Sequence, residues 1–229
     1  MSHLDSELKN LKSEMLEMFS LVKSQLEKSK DALILLDKDL AREVLVNEKR
    51  VNGFELKLDR DCENIIALFN PVAIDLRFVL ACMKINSNLE RIGDIAEGIC
   101  QFVLNIKLEP EKSLLETTRM VEMYDTGIII LQDVMEAFDK EDTRLARSVF
   151  KKDEILDEIN LNANQAVADF IRSNTDRINQ SLYLLSTIRK LERVGDQCKN
   201  IAEEIIFYIE AKVLKHKSRA QKQDMDNNE

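Results

Sequence analysis

The chain has 229 residues, with five Gly, two Pro, no Trp, 45% apolar and 33% charged residues. So few turn formers leave room only for short, sparse loops, and the absence of alternating β-branched runs excludes a sheet. A formal net charge of −9 argues against a nucleic-acid binder, which needs a basic stripe to displace counterions, and favours cations or basic partner surfaces.

No apolar stretch follows a basic N-terminal segment, and no apolar run is long enough to span a bilayer, so a cytoplasmic protein is expected. The four cysteines, Cys62, Cys82, Cys100 and Cys198, form no CxxC pair and read as buried small hydrophobes. His3 and His216 lie near the termini, which speaks against histidine catalysis or a zinc site.

Helical periodicity opens at about Leu4 and runs to Leu36, carrying Met15 and Met18 as core positions. Asp37-Lys38-Asp39 is a polar break with a candidate N-cap. A second helix runs from there to about Phe69. Asn70-Pro71 marks a loop, and Pro71 is expected in the first turn of a third helix ending near Asn105, because its missing N–H costs nothing there. That helix carries a regular stripe of Phe78, Cys82, Ile85, Leu89, Ile92, Ala96, Ile99 and Val103. Pro110 and Glu111 open a second half, with helices expected over 112–138, 143–172 and 176–213 and a polar tail over 215–229.

The second half repeats the first. Leu89-Glu90-Arg91-Ile92-Gly93-Asp94 returns as Leu191-Glu192-Arg193-Val194-Gly195-Asp196. Met15-Leu16-Glu17-Met18-Phe19 returns as Met120-Val121-Glu122-Met123-Tyr124, and Leu40-Ala41-Arg42-Glu43-Val44 as Leu145-Ala146-Arg147-Ser148-Val149. The offset is 105 for the last two and 102 for the first, so the second copy lacks three residues before its third helix. A deletion inside a helix rotates one face against the other, which places this one in the loop at Asn70-Pro71. The expected fold is all-α: two tandem, pseudo-symmetric three-helix bundles of six long helices, over 1–109 and 110–214.

Chemistry concentrates on two faces. On the second helix of each copy, Glu48 maps to Asp153, Asn52 to Asp157, Glu55 to Asn160 and Asp59 to Asn164. Every one of these carries a side-chain oxygen. On the third helix, Glu90 and Asp94 lie four apart, with Glu97 beyond them; Glu192 and Asp196 are the counterparts, with Lys199 where the first copy has Glu97. Adjacent helices presenting such oxygens suit hard cations such as magnesium, manganese, calcium or ferric iron. The competing reading is a solvated acidic face, since Glu90 and Asp94 point away from the apolar stripe, and any metal site there would be shallow and open. Gly93 and Gly195 sit inside helices at a cost of about 1 kcal/mol each, which close helix approach or a bound cluster would offset. Arg91 and Arg193 fit either paired or free surface cations. No phosphate loop, nucleophile elbow or Glu-x-x-His pair is present, so no catalytic residue is assigned.

The doubled Leu-Glu-Arg-[Ile/Val]-Gly-Asp, with Pro71-Val72-Ala73-Ile74-Asp75-Leu76-Arg77-Phe78-Val79 ahead of its first copy, resembles the PhoU family across about residues 4–212. The resemblance implies multinuclear metal binding through E/DxxxD motifs. On this chain those are Glu90 with Asp94, Glu192 with Asp196, Asp153 with Asp157, and the departing Glu48 with Asn52, where Glu55 is retained and its counterpart Asn160 is not. Iron, manganese or magnesium ions are the implied cofactors. The implied role is negative regulation of the phosphate-starvation response, through contacts with a phosphate ABC transporter ATPase and a phosphate-sensing histidine kinase. A homodimer is implied, with membrane association only through the transporter. Metal buffering without a phosphate role, and a di-metal carboxylate enzyme, are the alternatives.

Overall fold

The computed structural model describes residues 3–212. Seven α-helices account for nearly all of them: α1 His3–Leu35, α2 Lys38–Phe69, α3 Ala73–Asn105, α4 Lys112–Thr117, α5 Met120–Lys140, α6 Thr143–Ser173 and α7 Ile178–Glu210. A 3-10 turn, Thr175–Arg177, leads into α7. No strand occurs among the described residues. The expected tail over 215–229, with His216, lies outside the described residues.

The same devices start and stop equivalent helices in both halves. Asp37 caps α2 by accepting from the backbone N–H groups of Asp39 and Leu40, and Asp142 caps α6 by accepting from those of Arg144 and Leu145. Left-handed residues close the preceding helices, Leu36 with φ 50° after α1 and Glu141 with φ 55° after α5. The three-residue deletion falls in a loop, as its register demands. Residues 70–72 separate α2 from α3, whereas Asn174 alone separates α6 from the 3-10 turn.

Three boundaries differ from the sequence expectation. The helix expected over 112–138 is broken into α4 and α5 at Thr118 and Arg119, the latter left-handed with φ 53°. Thr118 turns its hydroxyl back to Leu114 O at 2.6 Å, and Arg119 reaches Glu122 at 2.7 Å and Glu158 of α6 at 2.8 Å. Adjacent threonines are weak helix formers, and the arginine anchors the break across to the next helix. Pro71 lies in the α2–α3 connection rather than in the first turn of α3, which opens at Ala73. The last helix ends at Glu210 rather than 213, with Ala211 left-handed.

Helices α1, α2 and α3 pack as one bundle, and α5, α6 and α7 as the other, with α3 lying along α7 and α1 along α5. Short connections make consecutive helices antiparallel. Every residue of the apolar stripe on α3 is buried, as are Ile188, Leu191, Val194, Cys198, Ile201, Ile205 and Tyr208 on α7. Met15, Met18, Met120, Met123 and all four cysteines are buried. No helix among the described residues is long and apolar enough to cross a membrane.

An aromatic cluster joins the two bundles. Phe138 of α5 lies 5.7 Å from Phe19 of α1, 5.9 Å from Phe78 of α3 and 6.4 Å from Tyr208 of α7, ring centre to ring centre. Phe78 meets Tyr208 edge-on at 5.4 Å. Polar links flank it: Lys84 with Glu204 at 3.0 Å, Lys30 with Asp125 at 2.5 Å, and the Ser29 and Tyr124 hydroxyls at 3.3 Å. Because one ring touches all three other helices of this seam, Phe138→Ala is expected to destabilise the chain by about 3–5 kcal/mol, read from urea unfolding. Loss below about 1 kcal/mol would show that the cluster is not what couples the halves.

Candidate metal centres

The two in-helix glycines mark where neighbouring helices come closest. At Gly93 of α3, an added Cβ would lie 3.0 Å from Val51 Cγ1 and 3.2 Å from Glu48 Oε2 of α2. At Gly195 of α7, it would collide with Asp153 Oδ1 and lie 2.7 Å from Leu156 Cδ1 of α6. Glu48 with Val51 and Asp153 with Leu156 are equivalent pairs at the 105-residue offset. Each glycine therefore cradles a carboxylate from the neighbouring helix. Close approach is what offsets the helix-propensity cost of both glycines.

The cradled carboxylates are buried. Glu48 is 4% exposed and Asp153 1% exposed. Neither Glu48 oxygen has a hydrogen-bond partner, and neither does Asp153 Oδ1. Such groups are rare and costly, so a buried, unpartnered carboxylate calls for a cation or a proton. The outward placement expected for Glu90 and Asp94 holds, while Glu48 and Asp153 lie beneath them, out of water. Only the rim is open: Asp94 is exposed, and Glu90 and Glu97 are half-buried.

The charges that shift Glu48 are all of one sign. Its pKa is pushed up to about 7, first by burial and then by Asp94, Glu97 and Glu90. Glu90 is raised by burial, then by Asp94 and Glu55, with Arg91 opposing. Glu55 is raised by burial, then by Asp59 and Asp94. Glu48, Glu55, Glu90, Asp94 and Glu97 thus form one interacting set. Asn52 is exposed one turn beyond Glu48. Asp59 is drawn off to structural work: the buried Asn86 amide of α3 donates to Asp59 Oδ1 at 3.0 Å and to Glu55 O at 2.9 Å.

The second set differs in sign content. Asp153, Asp157, Glu192 and Asp196 interact, but Lys199 sits among them. Its Nζ lies 2.5 Å from Asp153 Oδ2 and 2.7 Å from Asp196 Oδ1. Asp153 is still raised by burial, against the pull of Lys199. Burial opposes the charge on Lys199, and its bonds to Asp153 and Asp196 outweigh that, so its pKa rises. Asn164 turns to Arg189, which donates to its Oδ1 at 3.1 Å. Arg91 and Arg193 are both exposed.

Of the nine residues expected to hold metal, eight fall into two electrostatically linked sets, one per bundle: Glu48, Glu55, Glu90 and Asp94, and Asp153, Asp157, Glu192 and Asp196; Asn52 is exposed one turn from Glu48. They sit at electrostatic range. Among the described residues, no three His, Cys, Asp or Glu side chains are gathered at the spacing that holds a single ion. The donor chemistry of the first group suits a hard cation: carboxylate oxygens, an unpartnered buried acid and a glycine-lined floor. Glu97 belongs to that group electrostatically, and the signal for it was its position one turn past Asp94.

A model of the PhoU domain matches the chain twice, over residues 15–103 and 120–205. The chain is 32% identical over 212 residues to the phosphate-specific transport system accessory protein PhoU of Edwardsiella tarda, covering 93% of this chain and 86% of that protein. It is 31% identical over 212 residues to the protein of the same name from Escherichia coli (strain K12), covering 93% and 87%. The crystal structure of PhoU from Pseudomonas aeruginosa superposes with a TM-score of 0.86 at 28% identity, covering 92% of this chain and 100% of that one. The phosphate transport system regulatory protein PhoU from Streptococcus pneumoniae superposes with a TM-score of 0.81 at 28% identity, covering 93% and 99%.

Two outcomes are expected. Gly195→Ala forces the short, buried Asp153 and Leu156 to move, and is expected to cost about 1–3 kcal/mol in chemical denaturation. Gly53→Ala, at an exposed helical site where a Cβ meets nothing within 4 Å, is expected to add about 0.5–1 kcal/mol of stability. Equal effects of the two would remove the argument for close approach. The second concerns pH. Glu48 releases its proton at 4.5 when unfolded and at about 7 when folded, so the folded chain holds more protons between these values. Stability of the metal-free chain is therefore full below 4.5 and falls by up to about 3 kcal/mol as pH rises through 7. Thermal melts from pH 4.5 to 8 should show this decline, and Glu48→Gln should flatten it.

Proposed function

The chain belongs to the PhoU family, and from that premise we propose that it is a regulatory accessory protein of phosphate uptake. It represses the phosphate-starvation response when phosphate is plentiful. Its contacts are with a phosphate ABC transporter ATPase and a phosphate-sensing histidine kinase. It acts as a homodimer that reaches the membrane only through the transporter, and its role is non-catalytic. What carries this reading is the pair of PhoU domain matches, together with relatives named for phosphate transport that align over nearly the whole chain.

Metal ions belong to the same proposal. Glu48, Asn52, Glu55, Glu90 and Asp94 would hold one group, and Asp153, Asp157, Glu192 and Asp196 the other. Iron, manganese or magnesium are the fitting ions, because all the donors are oxygen. A bound cation would neutralise the like charges that raise Glu48, Glu55 and Glu90. The support is the unpartnered buried carboxylate of Glu48.

In a deletion strain grown in ample phosphate, expression of a starvation-controlled phosphatase should rise at least several-fold. A tagged chain from such cells should recover the transporter ATPase or the kinase. Normal phosphatase expression with altered metal tolerance would overturn the phosphate role and favour metal buffering.

A further inference from the structure

The two carboxylate groups are copies of one ancestral unit, yet their centres are filled differently. In the second group the ammonium of Lys199 stands between Asp153 Oδ2 at 2.5 Å and Asp196 Oδ1 at 2.7 Å. One of those partners is 1% exposed, so the lysine reaches the floor of the site and not merely its rim. At the equivalent position of the first group stands Glu97, which adds a negative charge to the field around Glu48. Between the copies, one substitution replaces an anion by a cation at the same point.

We infer that Lys199 is a tethered counterion that occupies the second site in place of a metal, so that the two sites of this chain are unequal and only the first loads readily. This rests on the metal reading above and sharpens it. The ammonium takes one oxygen from each of two carboxylates that an incoming ion would need. A hard cation takes six or more oxygens. Of the buried Asp153, only Oδ1 is left, and it lies so close to the Gly195 backbone that an added Cβ would collide with it. Loading the second site therefore requires Lys199 to leave, giving up two ion pairs, one to a buried acid. Loading the first requires no such departure, because both oxygens of Glu48 are unpartnered. Asp157, where the first site has Asn52, adds charge to the second group without removing the lysine.

The test is metal stoichiometry on the purified full chain. Metal-free protein is equilibrated with Mn²⁺ or Fe³⁺ alone at fixed free concentration, and bound metal per folded chain is read by elemental analysis. Wild type should load, and Asp94→Asn should lose nearly all of it while Lys199 stays in place. Lys199→Glu should hold about twofold more metal than wild type, because the second site then carries the same ligand class as the first. If Lys199→Glu loses helical circular dichroism, Lys199→Met keeps the stem without the charge and should gain metal in the same direction. Asp94→Asn retaining about half the wild-type metal would overturn the inequality and leave metal binding standing. So would unchanged loading in a folded Lys199→Glu or Lys199→Met. A folded wild type that takes up neither ion would overturn metal binding itself.

Discussion

The close seating of α2 on α3 and of α6 on α7 is the constraint on which the rest depends. It is possible because Gly93 and Gly195 present bare backbone, and it is used twice, by Glu48 with Val51 and by Asp153 with Leu156. The same approach does two things at once. It brings the apolar stripes of α3 and α7 into full burial, and it carries one carboxylate per bundle out of water. The first effect stabilises through apolar area removed from solvent. The second is unfavourable unless something compensates the charge, because a buried anion loses its hydration. The structure thus holds an electrostatic cost at each seam: the buried carboxyl is raised in both halves, and Lys199 opposes that rise only in the second.

Rigidity of the frame follows from how the halves meet. Helices α3 and α7 both carry the doubled motif and lie along one another at the centre of the molecule. The aromatic cluster of Phe19, Phe78, Phe138 and Tyr208 ties four helices together, and short loops leave little slack. Charged groups placed on packed helices keep their relative positions better than groups on loops. Such a frame keeps the carboxylate seams fixed relative to the helix faces beside them.

At the two seams the copies differ at positions that carry charge. The glycines, the capping aspartates and the buried acid of each seam are kept, while Glu97 against Lys199, Asn52 against Asp157 and Glu55 against Asn160 differ. The kept residues set geometry; the changed ones set charge. One backbone arrangement therefore supports two electrostatically different sites.

Much of this was legible in the chain itself. Periodicity of 3.6, scarcity of Gly and Pro, and the internal repeat determine an all-α protein of two like bundles, because each is a local property of residue order. The shift of offset from 105 to 102 located the loop, since only a loop absorbs three missing residues. The pairing of Glu48 with Asp153 came from alignment of the copies. Burial of these acids did not, because helical angle says which residues share a face and not how near the next helix stands. The break at Arg119 was equally hidden, as it depends on Glu158 of another helix. Sequence set the residues and their faces; tertiary structure decided which carboxylates lie beneath the surface and which of them meets a lysine, because interhelical distance is a property of packing and not of order along the chain.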